Sequence, residues 1–215
     1  MSAKIELHNI DCIEYLATCK DNAFELAIVD PPYGIGDFTS SKTRHKKVNW
    51  NNAIPDAKYF EELHRVSKNQ IIFGVNYYAK HVEAVGRIVH DKTGGTGKGF
   101  PTEISTCDIA SHSFGVNMKI FHYTSRGNVI GNKIDWENTQ RWHPCQKPTA
   151  LYEWLLMNYA KEGDRILDMH LSSGSIAIAC HNLGFDLVGC ELDTEYFNAA
   201  QKRIEQHQAQ LRIPC

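Results

Sequence analysis

The 215-residue chain has no apolar run approaching the roughly 20 residues of a membrane-spanning helix. Its first residues, Met1-Ser2-Ala3-Lys4-Ile5-Glu6, lack the apolar core of a secretory signal, so a cytoplasmic location with no membrane partner is expected. A charge surplus is missing too. With 23 Lys and Arg against 25 Asp and Glu, the net charge is −2, and any basic surface for a polyanion must be local. The 7 cysteines and 11 histidines show neither CxxC nor HExxH spacing, which argues against a metal centre or disulfide framework and for free thiols. Gly94 to Gly99 fails as a phosphate loop, because Lys92 precedes the glycines and Gly99 stands where a metal-binding Ser or Thr is needed.

What is present is enough for a core: hydrophobic residues make up 42% of the chain, which suits one domain with a modest insertion. Strand and helix patterns alternate. Lys4–His8 reads as a strand, Asp11 as the cap of a helix through Leu16, and Phe24–Asp30 as a buried strand. Ala57–Val66 reads as a helix, Gln70–Val75 as a strand, Tyr77–Val85 as a second helix and Arg87–His90 as another strand. From about 91 to 142 the helical period vanishes, and Glu103–Ile109 and Val116–Tyr123 look like paired β segments of an insert. The alternation resumes with Thr149–Tyr159, Arg165–Met169, Ser175–Leu183, Leu187–Cys190 and Thr194 to about 210, with Gly163 and Gly184 standing where helices should stop, which predicts an α/β sheet.

The stretch with the clearest chemistry is Asp30-Pro31-Pro32-Tyr33, at the carboxyl end of Phe24-Glu25-Leu26-Ala27-Ile28-Val29. Two prolines fix φ and remove two amide donors, and each forces its predecessor into an extended conformation. The turn therefore offers a carboxylate, a bare carbonyl and an aromatic ring where open α/β sheets bind ligands. Such a trio suits a planar base carrying an exocyclic amine. Asp30 and the Pro31 carbonyl each accept one N–H and free the nitrogen lone pair, the carboxylate stabilises the positive charge that develops, and Tyr33 stacks on a base flipped from its duplex. No metal is required. Beyond the turn, the segment 42–47 holds Lys42, Arg44, Lys46 and Lys47, a basic loop suited to phosphates.

A second candidate site lies in Asp168-Met169-His170-Leu171-Ser172-Ser173-Gly174-Ser175, a strand, a tight small-residue turn and a helix start. Glu191 follows 17 residues beyond Gly174, at the end of the next strand, where an acidic side chain meets ribose hydroxyls in nucleoside-binding βαβ units.

The Asp30 turn, this second turn and His143-Pro144-Cys145-Gln146-Lys147-Pro148 together resemble the S-adenosylmethionine-dependent amino-methyltransferases of DNA. Their order along the chain is that of the permuted beta group, and the closest similarity is to small phage or prophage DNA adenine methylases. The resemblance implies a Rossmann-like, mixed and mostly parallel sheet with helices on both faces and a target-recognition region over about 91–142. It implies a cytoplasmic, bacterial or phage-encoded enzyme that takes double-stranded DNA and S-adenosylmethionine, releases S-adenosylhomocysteine, and methylates adenine N6. Asp30, Pro31, Pro32 and Tyr33 are then catalytic. Asp11, Asp30, Lys147, Pro148, Asp168, Met169, His170, Ser172, Ser173, Gly174, Ser175 and Glu191 border the cofactor. Lys42, Arg44, Lys46, Lys47, Arg126, Lys133 and Arg141 are candidate DNA contacts. The family turn commonly reads D-P-F-x-G-S-G, so Ser172 occupies a glycine place and is strained if φ there is positive.

Cytosine N4 is the nearest alternative target, and a catalytically silent DNA-binding module is a second alternative. Whether the protein acts as a monomer or homodimer is open. Cys145 as a covalent nucleophile is disfavoured, since transfer to an amine needs no enzyme–base bond. A nicotinamide oxidoreductase would need GxGxxG at Gly174.

Overall fold

The computed structural model describes residues 3–36, 50–98, 105–126, 129–130 and 142–210. The basic loop 42–47, Lys133 and Arg141 lie outside the described residues. The first part of the chain forms β1 (Ile5–His8), α1 (Cys12–Thr18), β2 (Phe24–Val29), α2 (Ala57–Val66) and β3 (Ser67–Phe73). β4 (Gly86–Asp91), β5 (Cys107–His112), β6 (Met118–His122), β7 (Ser125–Arg126) and β8 (Val129–Ile130) follow. The last part is α3 (Thr149–Tyr159), β9 (Arg165–Asp168), α4 (Ser175–Leu183), β10 (Asp186–Cys190) and α5 (Thr194–Gln208).

Eight strands form one sheet in the order β1-β10-β9-β2-β3-β5-β4-β6. The first five are mutually parallel, and β5 runs antiparallel to both its neighbours. The apolar run of β2 is continuous because both faces are covered. Leu26 and Ile28 join the core under α3, α4 and α5, while Phe24, Ala27 and Val29 pack with α1 and α2. This is the expected Rossmann-like architecture. Among the described residues no helix is long and apolar enough to cross a membrane, and the six described cysteines are free thiols.

Three local expectations change. Tyr77–Val85 is not a helix; only Ala79–His81 makes a single 3-10 turn. Its apolar residues are used otherwise: Tyr78 is fully buried and donates its hydroxyl to the Phe73 carbonyl, and its ring lies 5.2 Å from that of Phe60 on α2. The two β segments of the insert do not pair with each other, because β4 lies between β5 and β6. Both belong to the main sheet, and among the described residues only the β7–β8 ribbon stands outside it. Gly163, read as a helix stop, lies three residues past the Ala160 cap of α3, whereas Gly184 does end α4 in the left-handed conformation.

Candidate active site

The chain leaves β2 toward β3 on one side and leaves β9 toward β10 on the other, which makes the β2–β9 boundary a topological switch point. Leu26 pairs with Ile166 and Ala27 with Leu167, so the Asp30 turn after β2 and the Asp168 turn after β9 emerge side by side. Two segments about 140 residues apart in sequence thus share one crevice.

The Asp30 turn is held from below and from the side. Asn51, 2% exposed, accepts the Tyr33 amide at 2.8 Å and donates to the Gly36 carbonyl at 2.9 Å, tying the turn to the start of the next described segment. Gly74, just past β3 with φ +76°, leaves room for the Tyr33 ring. A Cβ there would stand 2.2 Å from Tyr33 Cε1 and 2.6 Å from the Tyr78 hydroxyl. Gly74→Ala is therefore expected to displace both rings and lower unfolding free energy by about 2–4 kcal/mol, measured by urea denaturation. The Tyr33 ring does not face an open slot: it stacks on Tyr77, centroids 4.7 Å apart and planes 13° apart.

Both oxygens of the Asp30 carboxylate are engaged. The Tyr33 hydroxyl donates to Oδ1 at 2.6 Å, and Lys147 Nζ donates to Oδ2 at 2.5 Å. Lys147 is 7% exposed, with its ammonium 4.8 Å from the Phe73 ring centroid. Burial alone would lower its pKa, but the charges of Asp30 and Asp108 outweigh that and raise it. Asp108, on β5, bonds Lys92 at 2.9 Å and lies 3.5 Å from His90. Its pKa is lowered despite burial, first by the Lys147 charge. Lys147 therefore stands against the Asp30 carboxylate, and Pro148 caps α3.

In the second turn, Ser172 does adopt positive φ, +56°. Its amide is held by Glu191 Oε2 at 2.9 Å, and the other carboxylate oxygen accepts the Asp193 amide at 3.0 Å. These bonds sustain the strained backbone, and Ser172→Gly is expected to raise unfolding free energy by about 1 kcal/mol in urea titrations. Glu191 thus shapes the turn as well as ending β10, and burial raises its pKa. Asp168 is 2% exposed, and its Oδ1 accepts the His170 amide at 2.9 Å. Burial, then the Asp30 and Glu191 charges, push its carboxyl up to about 8. His170 goes the other way, down to about 4, through burial.

Several side chains expected to border the cofactor are committed to the fold. Met169, Ser173 and Ser175 are each 2% exposed. Arg203 of α5 donates to the Ser173 carbonyl at 2.8 Å and the Ser175 hydroxyl at 2.9 Å, and the two serine hydroxyls lie 3.0 Å apart, so both are engaged within the fold. The missing Cβ of Gly174 faces Ile204 at 2.9 Å and Ala200 at 3.4 Å, so its smallness serves packing on α5 and not ligand approach. Asp11 spends its Oδ1 on the Ile13 and Glu14 amides as the cap of α1. His170, Ser172 and Glu191 remain partly exposed at the crevice and suit a polar nucleoside-type group, with backbone bent tightly beside them. Arg126 lies on β7, apart from the main sheet. Asn51, Gly74, Tyr77, Asp108 and Arg203 were not singled out by the sequence; an isolated glycine inside a strand pattern, Gly74, was the one available signal.

Comparison with known proteins agrees with this geometry. Residues 122–202 match the DNA methylase family N6_N4_Mtase. The type II methyltransferase M.HpaI of Haemophilus parainfluenzae is 25% identical over 91% of this chain and 72% of its own length. The crystal structure of the M1.HpyAVI–SAM complex shares the fold with a TM-score of 0.58 at 19% identity, covering 93% of this chain and 99% of the other. The PvuII DNA methyltransferase, described as cytosine-N4-specific, shares it with a TM-score of 0.64 at 11% identity, covering 97% and 91%. By these matches the chain is similar, over residues 122–202, to the N6_N4_Mtase DNA methylase family and, over most of its length, to a type II methyltransferase, and it shares the fold of S-adenosylmethionine-dependent DNA methyltransferases.

Proposed function

We propose that the protein methylates the exocyclic N6 of an adenine flipped out of double-stranded DNA. The observation that carries this reading is the Asp30 carboxylate at the end of β2, beside the β9 turn at the switch point. Bound in that crevice, S-adenosylmethionine supplies a methyl group on a positively charged sulfur. Asp30 and the Pro31 carbonyl accept the two amine hydrogens, and Tyr33 leaves Tyr77 to stack on the base. The nitrogen lone pair forms the N–C bond as the C–S bond breaks with its electron pair returning to sulfur, and the surplus proton leaves nitrogen for Asp30 or water. Alignment of the amine and its charge stabilisation supply most of the rate.

An Asp at the head of the turn leans toward adenine by association within the family. Cytosine N4 is the second reading, favoured by the similarity to the PvuII enzyme's fold. One experiment separates them: incubate the protein with mixed-sequence DNA and cofactor, digest to nucleosides and identify the product by mass spectrometry. N6-methyladenine is expected; N4-methylcytosine would replace the reading, and no methylated base would favour a silent DNA-binding module.

His170, Ser172 and Glu191 are proposed to line the cofactor crevice, with Asp168 beneath them, in a single methyltransferase domain whose region 91–142 recognises the target. The basic loop 42–47, Arg126, Lys133 and Arg141 are proposed to contact phosphates, which position without specifying. Neutralising Lys46 and Lys47 together is expected to flatten the plot of log binding constant against log salt by nearly two units of slope, and an unchanged slope would clear that loop of the role.

A further inference from the structure

We propose that Lys147 is a positioning residue for Asp30, whose ammonium stays on Oδ2 through the reaction so that the target amine is received at Oδ1. The inference rests on the reading of Asp30 as the amine acceptor. In the free protein neither oxygen is open: Oδ1 takes the Tyr33 hydroxyl at 2.6 Å and Oδ2 takes Lys147 at 2.5 Å. A target amine that takes the place of one of these donors meets two that are not equally displaceable.

Lys147 is enclosed. It is 7% exposed, its ammonium lies over the Phe73 ring, and it also feels the charge of the partly buried Asp108, which is itself fixed by Lys92 at 2.9 Å. Two ion pairs, Asp30–Lys147 and Asp108–Lys92, thus influence each other through the Lys147 and Asp108 charges. Withdrawing Lys147 from Oδ2 would leave a buried ammonium and a partly buried carboxylate short of a partner, the costly way to break an ion pair. Tyr33 is bound less firmly. Its hydroxyl is neutral, so leaving Oδ1 forfeits one hydrogen bond, and the ring it stacks on, Tyr77, is 39% exposed and has room to move. The displacement that frees Oδ1 is also the one that releases the Tyr33 face for the base. With Oδ2 anchored, the carboxylate plane is fixed and Oδ1 is aimed before the base arrives.

This assigns Lys147 to the catalytic carboxylate and not to the cofactor, and Asp108 places part of that support on β5, within the region proposed to recognise the target. The test uses Lys147→Met and Lys147→Arg in the full chain. Single-turnover methylation, calorimetric titration with S-adenosylhomocysteine and thermal midpoints in wild-type and Asp30→Asn backgrounds are measured together. Lys147→Met is expected to slow the single-turnover step by about 100-fold while cofactor and DNA dissociation constants stay within about threefold, and Lys147→Arg to recover part of the rate. The loss of thermal midpoint caused by Lys147→Met is expected to shrink in the Asp30→Asn background, where the partner charge is gone. A rise of about tenfold or more in the cofactor dissociation constant with an unchanged single-turnover rate would overturn the proposal. Equal midpoint losses in both backgrounds would overturn it too. Should Lys147→Met alone fail to fold, the double variant with Asp30→Asn is expected to fold, and its failure would count against the pairing. If the wild-type protein leaves no methylated base, the Asp30 reading fails, while the midpoints and the cofactor titration still decide the Lys147 pairing.

Discussion

Asp30→Ala is expected to lower methyl transfer by about a thousandfold or more while leaving DNA and cofactor binding near their wild-type strength. In the proposed mechanism the carboxylate contributes where charge develops on nitrogen, so its loss falls on the transfer step. Among the described residues near the crevice, Asp108 is already engaged by Lys92 and Asp168 is buried at the base of the second turn, so neither can take its place. A stability cost accompanies the kinetic one. Removing Asp30 strips Lys147 of its closest counter-charge, and breaking a buried pair from one side costs on the order of 3–5 kcal/mol. Transfer of labelled methyl to DNA, read beside a urea titration, checks both halves. Retained transfer would eliminate Asp30 as the amine acceptor.

Asp168→Asn is expected to stabilise the protein at alkaline pH. Burial pushes the Asp168 carboxyl up to about 8, far above the roughly 3.9 of an unfolded aspartate, so the fold favours the protonated form. Its contribution is complete below about pH 4 and is lost as pH rises through about 8. Asn fills the same space and can still accept the His170 amide without charge. The variant should exceed wild type by on the order of 3–5 kcal/mol near pH 8.5, with the difference shrinking toward pH 4. His170, held neutral by burial with its pKa near 4, works in the opposite sense: its share is present above about 6.5 and is lost as pH falls through about 4. Thermal midpoints across the pH range check the pair. A gap independent of pH would show that Asp168 does not ionise in that window.

Much of the crevice was legible in local sequence because its signals are covalent or short-range. Two prolines stiffen Asp30-Pro31-Pro32-Tyr33 whatever surrounds them, and a buried apolar run announces β2 in the same way. The left-handed residue at Ser172 was also within reach, since a serine in a glycine place carries its strain locally. The readings that failed were those in which one pattern serves two environments. Tyr77–Val85 has helical spacing, yet Tyr78 is drawn under Phe73 and consumes the apolar residues a helix would have used. The insert strands read correctly as strands, but which neighbours they take is a matter of sheet order, which no short window records.

The sequence by itself determined the α/β alternation, the rigid carboxylate turn, the small-residue turn after β9 and the absence of a metal-type spacing, because each depends on residues adjacent along the chain. Only the tertiary structure decided how those pieces act on one another. It set β9 beside β2, tied Ser173 and Ser175 to Arg203, stacked Tyr33 on Tyr77, and brought Lys147 from 117 residues away onto Asp30. The reason is physical: burial and charge pairing sum over everything within a few ångströms, and that neighbourhood is assembled by the sheet and not by the order of residues.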